Sequence, residues 1–414
     1  MADNSREIIY LGLTEILEKG ALSHIVEKDI LDKYDYLDMK EKAFIKRMLE
    51  GTNEKLLVLD KVIDDYSKIK TNKLKPPIRT ILRMGVYQIL FMDRVPDSAA
   101  CNEACKLATR HGFNTLKGYV NGVLRSISRD KDKILEGLNE DNLTVPQWIR
   151  EHLIKSYGED KTLKILEDID KAHPVSIRVR NPKMDVKDLI RVPNVENAYY
   201  LKEGTSVKDV PGYLEGYFVV QDIASQLVLK NSMIKKGDTV LDVCASPGGK
   251  AIEAYDMGGI VTAFDISDKK IKRIEDNIIR CHADGSDGIK TSVKDASEYD
   301  ETLKESADIV IADVPCSGLG VMGRKADIRH KTKKEDLDKL PKIQKDIAGN
   351  VWKYVKKGGV LMYSTCTMNP KENEELTDFL TENYPLTKEY EKQFLPGIDG
   401  TDGFYIARLR RKSD

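Results

Sequence analysis

The stretch "LDVCASPGGKA" (residues 241–251) decides how the second half of this chain folds. A short apolar run ends in a turn that contains Pro247, Gly248 and Gly249, and Lys250 opens a helical pattern. A strand, a tight turn and a helix in this order form the basic unit of a sheet whose parallel strands alternate with helices. Ligands of such sheets bind beyond the carboxyl ends of the strands. The stretch therefore predicts an α/β unit with a ligand site at this turn.

Four similar runs follow, separated by helical patterns: "GIVTAFDI" (259–266), "IKTSV" (289–293), "ADIVIADVP" (307–315) and "GGVLMYST" (358–365). We therefore predict a Rossmann-like, doubly wound sheet over residues 216–414. Residues 1–130 have apolar residues at helical spacing, as in "PPIRTILRMGVYQILFM", and predict an all-α domain. A charged linker is predicted at 131–145 and a small α/β module at 146–215. A chain of 414 residues is long enough for this division.

The bulk composition excludes some classes of protein. A formal net charge of -1 means that no global field attracts nucleic acid, so RNA would have to be held by local basic patches. The six cysteines form no CxxC pair, which is typical of free thiols in a reducing cytoplasm. No signal peptide and no membrane span are predicted, because no apolar run reaches the roughly 18 residues that a span needs.

The glycine turn excludes two common nucleotide sites. A phosphate-binding loop of the GxxxxGK[ST] type is excluded, because Cys244 occupies the position of its first glycine and Ala251 the position of its hydroxyl residue. The GxGxxG motif of dinucleotide-binding sites is also absent. An adenosine-bearing ligand without a long phosphate tail remains. Asp265 ends the second strand, where a carboxylate can take ribose hydroxyls or cap the next helix. Asp295 is either a contact to adenine or an ordinary loop residue. The predicted contacts in the turn are Cys244, Ala245, Ser246, Pro247, Gly248, Gly249 and Lys250.

Two thiols follow two of the predicted strands. "DVPCSG" carries Cys316, and "STCT" carries Cys366. Asn369, Pro370 and Glu372 have the pattern of a capped helix start, whose positive end would favour a thiolate at Cys366. Either cysteine alone is better explained as a small buried hydrophobe, but two at adjacent ligand-binding strand ends favour a function. Local chemistry does not choose between the two as the reactive thiol.

A basic run, "GRKADIRHKTKK" (323–334), follows the Cys316 loop and predicts contacts to nucleic-acid phosphates, although a solvated face or a flexible lid has the same pattern. No metal site is predicted, because Cys101 and Cys105 lie one helical turn apart with only His111 nearby and are expected in the core. The predicted RNA contacts are Arg178, Arg180, Arg324, Lys325, Arg329 and His330.

The blocks "LDVCASPGGK", "DVPCSG" and "YSTCTMNPKENEE" resemble those of the Sun/Nol/Nop family of RNA (cytosine-5)-methyltransferases, and residues 5–128 resemble the NusB RNA-binding fold. The resemblance implies S-adenosyl-L-methionine (SAM) as cofactor and 16S rRNA as partner, with C5 of cytosine 967 as target, and a monomer is expected. It further implies that Cys366 attacks C6 of the base and that Cys316 assists release. By the same resemblance Asp313 and Lys250 hold the base, and Asp313 is also a candidate SAM contact.

Three alternatives stay open at this point. A DNA cytosine methyltransferase would use Cys316 as nucleophile, which leaves Cys366 without a role. A tRNA methyltransferase shares the catalytic blocks, and only the NusB-like part favours rRNA. An RNA-binding regulator with an inactive methyltransferase domain is the alternative from another class, and a complete set of site residues argues against it.

Overall fold

A computed structural model describes residues 5–138, 144–171, 173–283, 285 and 288–413. The chain divides into two compact units. The first contains residues 1–150 together with 325–331, and the second contains 151–324 and 332–414. The predicted linker at 131–145 is helical from Lys131 to Leu138, and its residues 139–143 lie outside the described residues.

The first unit is helical, as predicted. The fifth helix carries its core, because Ile78 and nearly every residue after it up to Leu90 are buried. Gly51 lets this helix approach closely, since a Cβ there would lie 1.9 Å from the Tyr87 hydroxyl. The first eight helices are α1 Ser5–Leu17, α2 Ser23–Lys33, α3 Met39–Glu54, α4 Leu56–Tyr66, α5 Pro76–Phe91, α6 Asp97–Arg110, α7 Lys117–Arg129 and α8 Lys131–Leu138.

A small antiparallel sheet opens the second unit, with strand order β2-β3-β1-β4. Its fourth strand pairs with β1, so this module extends past residue 215, where its end was predicted. The elements are α9 Gln147–Tyr157, which begins in the first unit, α10 Glu159–Ile169, β1 Ser176–Val179, β2 Ile190–Arg191, β3 Ala198–Tyr200, β4 Phe218–Val220 and α11 Ile223–Lys230.

A seven-stranded sheet forms the rest of the second unit, in the order β10-β11-β9-β8-β5-β6-β7. The five predicted strands, β5 to β9, are present and run parallel. The sequence analysis missed β10 and β11, which pair antiparallel at one edge; β10 alternates buried and exposed residues in place of a continuous apolar run. The strands are β5 Thr239–Asp242, β6 Ile260–Asp265, β7 Lys290–Val293, β8 Ala307–Asp313, β9 Val355–Thr365, β10 Leu386–Phe394 and β11 Phe404–Arg411.

The order of the strands reverses at β5, since β6 lies on one side of it and β8 on the other. Ligands of open α/β sheets bind at such a switch point. The loops after β5 and β8 lead from this point, and the β9 loop lies beside them. The remaining helices are α12 Gly249–Asp256, α13 Asp268–Arg280, α14 Asp327–Lys331, which belongs to the first unit, α15 Asp336–Val351 and α16 Glu374–Asn383.

Candidate functional site

The loop after β5 is a tight turn into α12. Gly248 has φ 102°, in the left-handed region, and a Cβ there would lie 3.2 Å from the Ile274 side chain. Only glycine meets both conditions without strain. At Gly249 a Cβ would meet nothing nearer than Gln221, at 3.8 Å, so the backbone is open to a ligand. The Cys244 thiol packs in the core, and burial raises its pKa well above the ordinary value.

Asp265 ties this loop to the end of β6. Its carboxylate accepts hydrogen bonds from the backbone N–H of Ser246 at 3.0 Å and of Ile266 at 2.8 Å. The Lys270 ammonium lies 2.8 Å away. Ser267, and not Asp265, occupies the N-cap position of α13, so the alternative of a plain helix cap is not observed. Asp295 follows β7 and accepts from the N–H and hydroxyl of Ser297 through one oxygen, as a loop residue would.

Lys250 and Asp313 form a buried ion pair at the switch point. The Lys250 Nζ lies 2.6 Å from Asp313 Oδ2, and the Ser364 hydroxyl donates to Asp313 Oδ1 at 2.8 Å. Burial works against the Lys250 charge, yet Asp313 outweighs it and raises the pKa of Lys250 above its ordinary value. The side chain is therefore an ammonium held in place beside the thiol loops.

Asp242 is a site residue that the sequence analysis missed. It ends β5 and is 1% exposed, and among the described residues neither carboxylate oxygen has a hydrogen-bond partner at bonding geometry. Burial raises its pKa to about 7, and the charge of Lys250 opposes that shift. A polar residue at the last position of a predicted strand, directly before the glycine turn, was the signal available in the sequence.

The two thiols lie together. The Sγ atoms of Cys316 and Cys366 are 3.3 Å apart, although 50 residues separate them in the chain. The hydrogen bond to Cys366, followed by burial, raises the pKa of the Cys316 thiol well above its ordinary value. The Cys316 thiol thus keeps its proton and is able to donate to the Cys366 sulfur, although the geometry admits either sulfur as the donor. The ammonium of Lys250 interacts electrostatically with Cys366, and a nearby cation favours a thiolate.

Glu372 connects the loop that carries Cys316 to the loop that carries Cys366. Its carboxylate accepts from the Ser317 N–H at 2.9 Å, the Ser317 hydroxyl at 2.5 Å, the Gln344 amide at 2.8 Å and the Asn369 amide at 2.9 Å. As predicted, Asn369 caps the start, accepting from the Lys371 N–H, and Pro370 follows it at the first position. The capped element is a single 3₁₀ turn over residues 370–372, and α16 begins only at Glu374. Glu372 accepts from the Asn369 side-chain amide and also from the Cys316 loop.

Comparisons with known proteins agree with this site. Residues 229–410 match the family model described as 16S rRNA methyltransferase RsmB/F, and residues 3–129 match the NusB family. Residues 229–410 therefore form a methyltransferase domain of the RsmB/F type, and residues 3–129 form a NusB-type domain. It is similar to the probable ribosomal RNA small subunit methyltransferase B of Bacillus subtilis (strain 168), at 29% identity over 98% of each chain. The ribosomal RNA small subunit methyltransferase B of Proteus mirabilis (strain HI4320) is 28% identical over 99% of each chain.

A solved structure has the same fold as this chain. The crystal structure of PH0851 has a TM-score of 0.81 and 24% identity, and the likeness covers 98% of this chain and 97% of that one. At this level of identity the likeness concerns the fold alone. The seven-stranded sheet and the helical first unit of the methyltransferase are thus confirmed by family and by fold.

The structure does not favour most of the predicted RNA contacts. Arg178 and Arg180 both pair with Asp256, and Arg324 pairs with Asp402 at 2.6 Å. Ion pairs of this kind bind the protein's own carboxylates in place of phosphates. These three arginines therefore contribute to the packing of the second unit.

The basic run of residues 323–334 also offers fewer side chains for phosphate contacts than its sequence indicates. Arg329 is 2% exposed and donates to the Thr144 carbonyl, and His330 bonds the Asn53 carbonyl at 2.8 Å. Burial lowers the pKa of His330 to about 4, so it is neutral at neutral pH. Lys325, by contrast, is exposed and stays a candidate phosphate contact.

Cys101 and Cys105 lie in the core of the first unit, where burial raises the pKa of both thiols. His111 bonds the Glu7 carboxylate at 2.9 Å. Within the residues that the structure describes, no group of three or more histidine, cysteine or acidic side chains could hold a metal ion. No helix among them is long and apolar enough to cross a membrane.

Proposed function

We propose that this methyltransferase transfers a methyl group from SAM to C5 of a cytosine in 16S rRNA, through a covalent bond between Cys366 and C6 of the base. The observation that carries the proposal is the thiol pair, 3.3 Å apart, next to a buried ammonium at the switch point of the sheet. Relatives described as small subunit methyltransferase B support 16S rRNA, and cytosine 967 is the target that the family resemblance implies.

The residues around the glycine turn fit SAM. The open backbone at Gly249 and the buried carboxylate of Asp265 lie at the same edge of the sheet, where an adenosine can be held. SAM supplies an electrophilic methyl group when it is bound. We propose that residues 244–250, Asp265, Asp295 and Asp313 hold it, with Asp295 at the adenine and Asp313 near the base.

Cys366 suits the attacking role. C5 of cytosine is a poor nucleophile, and addition of a thiolate at C6 makes it an enamine that can attack an electrophile. The hydrogen bond from Cys316 and the charge of Lys250 both stabilise negative charge on Cys366. Lys250 and Asp313 are placed to hold and polarise the base around N3 and its exocyclic amine. The base must be unstacked to reach Lys250 and Asp313. A nucleotide in an RNA loop is therefore the favoured substrate, because it costs less free energy to unstack.

Cys316 suits the release step. After methyl transfer the C5 proton must leave and the Cys366–C6 bond must break. A thiol whose pKa is raised well above its ordinary value holds its proton, so Cys316 is less suited than Cys366 to attack the base and is a suitable proton donor to the departing Cys366 sulfur. This asymmetry argues against the DNA-methyltransferase scheme, in which Cys316 would attack.

Alanine variants of the two cysteines test these roles. We expect Cys366→Ala to lower methyl transfer to 16S rRNA by at least about 10³-fold, as removal of a nucleophile does elsewhere, and to form no adduct. We expect Cys316→Ala to accumulate a covalent protein–RNA complex that is stable in denaturing gels. Both are measured with labelled SAM and naked 16S rRNA, and Cys105→Ala is the control with wild-type turnover.

An adduct in the Cys366→Ala protein would overturn the assignment of the nucleophile. Methylation of tRNA but not of 16S rRNA would overturn the substrate. If SAM does not raise the melting temperature of the wild-type chain, the regulator alternative is favoured. RNA contact by Lys325, a monomeric state and a cytoplasmic location stay predictions.

A further inference from the structure

The distance between the two thiols has a second chemical consequence. A disulfide has a sulfur–sulfur bond of about 2.05 Å, roughly 1.2 Å shorter than the present separation of 3.3 Å. We expect rotation of the two side chains to cover a difference of this size. Both residues are only half-buried, so a small oxidant can reach them.

The surroundings of Cys366 and Cys316 suit them to different steps of an oxidation. Redox-sensitive cysteines combine thiolate character and access to solvent with a second cysteine nearby that resolves the first oxidation product. Cys366 has a hydrogen-bond donor in Cys316 and a cation in Lys250, and Cys316 keeps its proton. Cys366 is therefore the sulfur that reacts first, and Cys316 is the one that resolves.

The loops hold the pair in this geometry. The carboxylate of Glu372 bonds both Ser317, next to Cys316, and Asn369, three residues after Cys366. The hydroxyls of Ser317 and Thr367 bond each other at 2.7 Å. The Gly320 N–H also donates to the Cys366 carbonyl at 3.1 Å. Three separate connections between the same two loops keep the sulfurs close and favour a bond between them over reaction of either one alone.

We propose that Cys316 and Cys366 form a reversible intramolecular disulfide on exposure to a peroxide, and that this modification switches the methyltransferase off. The Cys366 thiolate attacks one peroxide oxygen, the O–O bond breaks, and the departing hydroxide is protonated to water, which leaves a sulfenic acid on Cys366. The Cys316 sulfur then attacks the Cys366 sulfur, and its own proton leaves with the hydroxyl group as a second water. The two sulfurs lose two electrons, which the peroxide gains.

The remaining cysteines serve as internal controls. The i, i+4 cysteines of α6 and the thiols of Cys244 and Cys281 all have pKa values raised by burial, so they are slow to oxidise. The modification is therefore specific to the pair at the strand ends. Its effect on activity rests on the proposed function, but the formation of the bond does not.

The test treats the reduced full-length chain with hydrogen peroxide, blocks remaining thiols with N-ethylmaleimide, digests with trypsin and analyses the peptides without reduction. We expect a linked species that joins the peptides of residues 305–324 and 358–371, lighter than their sum by two hydrogens. Dithiothreitol should separate them again. Methyl transfer should fall at least tenfold as the link forms and return on reduction, and Cys105→Ala should behave as wild type.

Cys316→Ser should give no link and should carry higher oxidation states of Cys366 instead, which confirms that Cys316 is the resolving residue. Peroxide that leaves the two peptides unlinked, in a chain that SAM still stabilises against heat, would overturn the proposal. If the link forms but the reduced enzyme never methylates C5 of cytosine, the proposed function fails and the modification site stands. If C5 is methylated without any link, only the modification site fails.

Discussion

Each unit contains a buried carboxylate that accepts hydrogen bonds from distant residues, but the two carboxylates have different roles. Glu372 in the second unit and Asp327 in the first are 0% and 5% exposed, and each collects donors from distant parts of the chain. Glu372 gathers the two thiol loops. Asp327 accepts from the Ser23 N–H at 2.7 Å and the Asn53 amide at 3.0 Å, which fixes the segment of residues 325–331 in the helical unit. The Glu372 network positions the reactive thiols, whereas the Asp327 network stabilises the fold of the first unit.

The largest expected effect breaks the Glu372 network. Glu372→Ala leaves the Ser317 N–H without its acceptor and removes one of the two acceptors of the Gln344 and Asn369 amides, which keep the Pro315 and Leu337 carbonyls. A buried donor left unpaired costs about 1–3 kcal/mol. We expect the free energy of unfolding to fall by roughly 3–5 kcal/mol and methyl transfer to be lost, because the thiols are no longer held together. Urea unfolding and the rRNA assay measure the two effects.

The matched control is Glu375→Ala, an exposed carboxylate three residues further along. It should change the unfolding free energy by less than about 0.5 kcal/mol. An equal, small effect in both variants would show that Glu372 does not support the thiol loops.

A smaller effect is expected from the pH dependence of the first unit. The folded pKa of His330, about 4, lies below the ordinary value of 6.5, because burial disfavours its charged form. The unfolded chain therefore takes up a proton near pH 6.5 that the folded chain takes up only near pH 4. The contribution of His330 to the free energy of unfolding is fully present above pH 6.5. It is lost as the pH decreases to about 4, by about 3 kcal/mol at most.

Hydrogen exchange of the first unit, corrected for the intrinsic pH dependence of exchange, measures this slope between pH 7 and pH 4. His330→Gln keeps a donor for the Asn53 carbonyl and cannot titrate, so it should flatten the profile. An unchanged slope in this variant would assign the acid sensitivity to another group.

The smallest expected effect is that of Asp327→Ala. Loss of the acceptor for Ser23 and Asn53 should lower the stability of the first unit by about 2 kcal/mol. Binding of SAM, measured by calorimetry, should stay within about twofold of wild type, because the glycine turn and Asp265 lie in the second unit. A large loss of SAM affinity would mean that the two networks are coupled and that the comparison between them is wrong.

Much of the fold could be predicted because the responsible patterns are local. The apolar runs of β5 to β9 and the glycine turn at residues 246–249 can be recognised without knowledge of their neighbours. The antiparallel strands β10 and β11 were missed, and β10, at the edge of the sheet, lacks a continuous apolar run and gains its structure by pairing with β11. The partners of Arg324, Arg329 and His330 could not be predicted for a similar reason, because a sequence records charge but not the carboxylate or carbonyl that a cation contacts.

The sequence by itself determined the parallel sheet, the glycine turn at its switch point and the presence of a thiol after each of two strands, because these follow from periodicity and from the chemistry of single residues. Only the tertiary structure decided that Cys316 and Cys366 lie 3.3 Å apart, that Cys316 holds the proton, and that Glu372 joins their loops. It also decided that Arg329 is buried and that His330 bonds the Asn53 carbonyl. Distances, burial and pKa values depend on which distant residues meet, and that is set by the packing of the whole unit.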